Sequence, residues 1–174
     1  MNAIEYALKH MAWSNQKIFK AIEEFPEEIY DLRAAENEWT VGRLLTHFIG
    51  AAEWYRYCLT GQKWEEVVAI RSHEILKSQA VHLGNLDTVL INQASLPDEN
   101  VSYEDESGPK TVTRSLILAQ TVNHTAEHKG QIATILKMHG RHLDLDKYDV
   151  WSYQSFLNKR SEEHTSELQS LRHL

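Results

Sequence analysis

Ten histidines occur in this 174-residue chain, and three of them fall where an imidazole is costly without a partner. His124 and His128 stand one helical turn apart, with side chains on one side of a helix and Cβ atoms about 6 Å apart, the spacing at which two imidazoles share an ion. Stepping by threes and fours through the same stretch gives Ile117, Thr121, His124, His128, Gln131, Ile135 and Met138, a polar layer in the middle of an apolar seam. A His-x3-His pair also describes an exposed pair, or two core histidines bonded to their neighbours. His47 adds a third imidazole, since Leu44 and Ala51 place it on a mostly apolar flank of an earlier helix. Three neutral imidazoles with one open position are a common way to hold zinc or a similar ion for chemistry, whereas structural zinc sites usually close the fourth position with another side chain. Cys58, the only cysteine, lies about 16 Å further along that helix, too far to close it. The expected cofactor is therefore one divalent ion on His47, His124 and His128, with zinc or nickel ahead of manganese or iron.

Other polar residues carry two readings each. Glu127 completes the order His-x-x-Glu-His, which in inverted zinc proteases supplies a general base. Those enzymes need a further acidic ligand well downstream, and this chain ends too soon. About 60° round the helix from His124, Glu127 is the one catalytic candidate, and its bland reading is a solvated edge residue. Gln131, Asn15 and Thr121 lie in core stripes and are candidates to line the pocket or orient a ligand, against the alternative of buried groups bonded to a neighbouring helix. His10, His73, His82, His139 and His142 read as surface or structural. The five tryptophans read as packing, with Trp151 and Tyr153 capping a bundle end.

These residues have to be positioned by helices, because apolar residues recur at spacings of three and four while strand-like alternation is nearly absent. The pattern predicts a first helix over 3–24, stopped by Pro26, and a second from the N-cap Thr40 to Gly61. A third covers 64–94, with Val67 and Val68 inward, and a fourth covers 113–139, with Gly140 as its C-cap. Residues 97–111 are a polar connection, with a short hairpin expected around 104–108. Four such helices make an all-α four-helix bundle in one domain, residues 1–159.

The remainder is set apart. Residues 160–170, RSEEHTSELQS, are what a common sequencing-library adapter gives when translated in frame, and Leu168 and Leu171 are too few apolar residues for a packed helix. The expectation is a non-native, disordered tail over 160–174, with the native C-terminal sequence after about residue 159 missing. Eighteen Lys and Arg against 25 Asp and Glu give a net charge of −7, without a basic run, which argues against nucleic acid as a partner. The first twenty residues are interrupted by Glu5, Lys9, His10 and Asn15, so neither a signal peptide nor a membrane span is expected. With a lone cysteine, a reducing cytoplasmic location is the expectation.

The run VNHTAEHKGQIATILKMHG resembles the last-helix signature of the DinB/YfiT-like superfamily. WTVGRLLTHFIGAAEWYRYCLTG is similar to that family's second-helix segment, and MAWSNQKIF, more loosely, to its first. The resemblance implies a metal triad at His47, His124 and His128, an up-down-down-up helix order and often a homodimer. It further implies either a metal-dependent enzyme acting on a small molecule or a stress-linked module in which the metal is only a staple. Among the enzymes are S-transferases that use low-molecular-weight thiols, hydrolase-like members and an isomerase.

Overall fold

The computed structural model describes residues 1–171, with side chains through residue 163. Four long helices, α1 (Ala3–Ile22), α2 (Val41–Thr60), α3 (His73–Gln93) and α4 (Arg114–Met138), are built where the apolar repeat demands them. Each begins on a side-chain oxygen that satisfies a free backbone N–H of the first turn: Asn2 accepts from Glu5, Thr40 from Arg43, Ser72 from Ile75 and Thr113 from Leu116. Gly61 and Gly140 stop α2 and α4 with φ of 70° and 71°, a conformation in which other residues are strained. In the bundle, α1 packs against α3 and α4, and α2 against the same two helices. Leu8, Ile22, Leu45, Ile49, Leu76, Leu90, Leu118 and Leu136 are buried between them, each worth about 1.5–3 kcal/mol.

Three expectations are corrected. The third helix starts at His73, not at 64. Residues 61–71 are irregular, with Trp64 and Val68 exposed and only Ile70 fully buried. Side chains of α2 hold this segment: Arg56 donates to the Gln62 side chain and the Lys63 carbonyl, and the Thr46 hydroxyl accepts from Ile70 N–H. Those tertiary bonds outcompete a helical turn that would begin without a cap. The connection before α4 is a full antiparallel hairpin, β1 (Asn100–Asp105) with β2 (Gly108–Thr113), paired from Asn100↔Thr113 to Asp105↔Gly108. Val101, Tyr103 and Val112 pack on the bundle while their neighbours face outward, a strand pattern too short to stand out in the sequence. Among the described residues the molecule is thus mostly helical with one two-stranded sheet.

The third correction is a fifth helix, α5 (Val150–Leu171). Tyr153 is buried, its ring 5.6 Å from Tyr6 and 5.4 Å from Trp13, and Phe156 lies 5.7 Å from Trp13. The first turns of α5 therefore lie along α1, and Trp151, 81% exposed, caps nothing. The helix runs on through the segment expected to be disordered, where residues 160–163 are exposed. The side chains of Leu168 and Leu171, and residues 172–174, fall outside the described residues. Deleting residues 161–174 is expected to move Tm by less than about 2 °C in a thermal melt. A fall of several degrees would make the segment part of the packed protein.

Candidate metal centre

His47 stands in the second turn of α2, and His124 and His128 in the middle of α4, where the two helices pack. The His124 Nε2 lies 3.0 Å from the His128 Nε2 and 3.2 Å from the His47 Nε2, and the ring centroids of the trio are 4.2–5.1 Å apart. Nitrogens bound to one ion at about 2.0–2.1 Å sit about 3.0–3.4 Å from one another. Hydrogen bonding alone serves the cluster poorly, because a neutral Nε2 is either donor or acceptor and one proton cannot bridge both contacts. Gln131 Oε1 lies 2.7 Å from His128 Nδ1. It accepts the Nδ1 proton and leaves the Nε2 lone pair facing the other two rings, the arrangement that orients metal-ligating histidines. Three convergent imidazole nitrogens, one with its tautomer fixed, fit a divalent ion. Among the described residues no fourth His, Cys, Asp or Glu joins this group.

Burial and the neighbouring imidazoles hold His47 below its ordinary pKa and bring His124 down to about 4, so both are neutral at pH 7. Glu127, on the same helix, works weakly in the opposite sense on His124. Beside His128 opens a cleft of about 560 Å³, walled by Trp39, Leu44 and Ile135 and edged by Glu38, Glu127, Gln131 and Thr134. The Trp39 ring meets His47 edge to face at 4.8 Å, and the Arg43 guanidinium lies 4.6 Å over Trp39. The sequence reading took Trp39 as packing. Its place directly before the N-cap of the helix that carries His47 was the available signal.

The other expected residues separate. Gln131 reaches His128 and Glu127 reaches the cleft. Thr121 is buried, but its hydroxyl donates to the Ile117 carbonyl of its own helix. Asn15 spends its amide on Asp87, 2.9 Å away on α3, within a second polar cluster in which Lys129 donates to Ser14. Burial pushes the Asp87 carboxyl up and the Lys129 ammonium down. Asn15 therefore helps to satisfy the packing of α1 on α3. Cys58 is buried, burial raises its thiol to about 11, and it does not join the three histidines.

The bundle is similar to solved DinB-like proteins. One from Bacillus cereus matches with a TM-score of 0.57 at 21% identity, covering 76% of this chain and 87% of its own. One from Bacillus subtilis matches with a TM-score of 0.56 at 18% identity, over 82% and 95%. A DinB family member from Shewanella denitrificans gives 0.56 at 13% identity, over 83% and 86%. At these identities the likeness speaks for the fold. No curated protein matches the chain. The sequence model of the DinB family matches residues 1–155, a span that holds all four bundle helices and all three histidines, and this chain belongs to the DinB family.

Proposed function

We propose that the protein is a metal-dependent enzyme that acts on a small molecule in the cleft beside His128, first as a thiol S-transferase and second as a hydrolase. The observation that carries this reading is the meeting of three imidazole nitrogens, one of them on His128 in the lining of an open cleft, with no fourth protein ligand among the described residues. Three protein ligands and an exchangeable position are the catalytic pattern. His47, His124 and His128 would hold a divalent ion, zinc or nickel before manganese or iron, which would lower the pKa of a bound thiol or water and so supply a nucleophile at neutral pH. The chain supplies the rest. Gln131 keeps the His128 nitrogen turned toward the centre, Trp39, Leu44 and Ile135 exclude water from one wall, and the Glu127 carboxylate at the rim is placed to take up a proton. An up-down-down-up helix order belongs to the same reading. It is supported by the ends that meet: Asn2 before α1 bonds the Ala94 carbonyl after α3, Glu27 beyond α1 accepts from the His73 N–H that opens α3, and His139 at the end of α4 bonds the Arg33 carbonyl ahead of α2.

The test uses cobalt-substituted protein. Low-molecular-weight thiols are expected to change its d–d spectrum, and conjugation of a generic electrophile should require both the metal and His128. An unchanged spectrum with fast water exchange would move the assignment to hydrolysis. Exclusion of both thiol and water would leave the ion as a staple between α2 and α4.

A further inference from the structure

We propose that Glu53, Glu65 and His82 form a second divalent-cation site, which pins the irregular segment 61–71 onto α2 and α3. Glu53 lies six residues past His47, hence about 9 Å along α2 and about 120° round it. It faces α3, whereas the histidine centre lies toward α4.

Glu53 is 2% exposed, and a carboxylate so buried has to be compensated. Half of it is. Oε2 accepts from Arg56 Nε at 3.0 Å and from Nη2 at 2.6 Å. The same guanidinium donates to Gln62 Oε1 and to the Lys63 carbonyl, both at 2.9 Å, and so folds the segment back over Glu53 and delivers Glu65. The other half is not. Glu53 Oε1 is buried 2.8 Å from His82 Nε2, yet the two are out of line for a hydrogen bond, and neither atom has another partner among the described residues. A simple His–Glu ion pair would align the N–H with the oxygen. Glu65 approaches from the solvent side, and the ligand atoms of the three residues lie within 4.8 Å of one another. With Arg56 committed to Oε2, two carboxylates and one imidazole face the same point, and a cation there would use both orphaned lone pairs. Two oxygens and one nitrogen suit manganese(II) or zinc and disfavour softer ions. Since Glu65 is exposed, this ion exchanges more readily than one on three imidazoles.

The probe is manganese(II), added to the His124→Ala protein so that the histidine centre is disabled. The aquo-ion EPR signal is expected to be lost up to about one equivalent. Trp64, beside Glu65 and 5.8 Å from Trp54, should change its fluorescence over the same range. Adding Glu65→Gln, an exposed substitution that spares the fold, should weaken uptake at least ~10-fold, and His82→Ala likewise. Wild-type protein whose histidine centre is filled with one equivalent of zinc should take up manganese in the same way, which covers the case of a poorly folded variant. A full aquo-ion signal at every ratio in both proteins would overturn the proposal, as would affinity unchanged by Glu65→Gln and His82→Ala. Because the probe avoids the histidine centre, failure here leaves the enzyme reading untouched.

Discussion

Replacing His124 with alanine is expected to strip the protein of its tightly held ion. The His124 Nε2 is the middle of the trio, 3.0 and 3.2 Å from the other two nitrogens, and its loss leaves two imidazoles with no protein atom to replace it. Two nitrogens hold a divalent ion weakly. After dialysis against metal-free buffer, elemental analysis should give about one equivalent for wild type and less than about a tenth for His124→Ala or His47→Ala. Full metal content in His124→Ala would sink the centre. Acid should release the ion as well, and the direction follows from the histidines. His124 titrates at about 4 in the folded chain and at about 6.5 when unfolded, so between these values the unfolded chain binds more protons. The part of the metal-free protein's stability that rests on a neutral His124 is fully present above about pH 6.5 and is lost as pH falls toward 4. In the folded protein a proton competes with the ion for His124 only as pH falls toward about 4, so retention at pH 7 and release on descent toward about pH 4 are expected, with a shallower acid loss of Tm in His124→Ala.

Gly42→Ala should be the most damaging small substitution in the bundle. A Cβ at position 42 would lie 2.4 Å from the Ile70 carbonyl oxygen and 3.1 Å from that of Tyr30. Both obstacles are backbone, so no side chain can turn aside. The first turn of α2 is also tied down here, because the Thr46 hydroxyl donates to the Gly42 carbonyl and accepts from Ile70 N–H, at 2.8 and 2.9 Å. Overpacking of this kind costs about 3 kcal/mol, or a fall in Tm of about 6–12 °C for a chain of this size. His47 rides on the same helix five residues on, so metal affinity should fall as well. Gly50→Ala is the control. It lies in the same helix with nothing within 4 Å of its Cβ, and it should leave stability unchanged or raise it by up to about 1 kcal/mol. Helix propensity favours alanine at both positions, so equal losses from the two substitutions would mean that the close backbone approach at position 42 does not set the cost.

What the sequence determined by itself was local or periodic. The 3.6-residue repeat placed α1, α2 and α4, and Thr40, Gly61 and Gly140 marked ends of α2 and α4 because capping is chemistry between residues a few positions apart. The spacing of His124 and His128 is rigid within one helix, and the apolar neighbours of His47 gave its facing. The three histidines singled out from spacing are the ones whose nitrogens converge. What only the tertiary structure decided depended on partners far along the chain. Arg56 and Thr46 hold residues 61–71 out of α3, and Tyr6 and Trp13 draw α5 onto α1. Asn15 lies in a core stripe as read, but an amide buried in a bundle goes to whichever polar group faces it, and on α3 that group is Asp87. His82 read as a surface or structural residue because no second ligand stands at helical spacing from it. Glu53 and Glu65 reach it only because Arg56 folds the connection back over α2, and a contact made through a third residue leaves no period in the sequence.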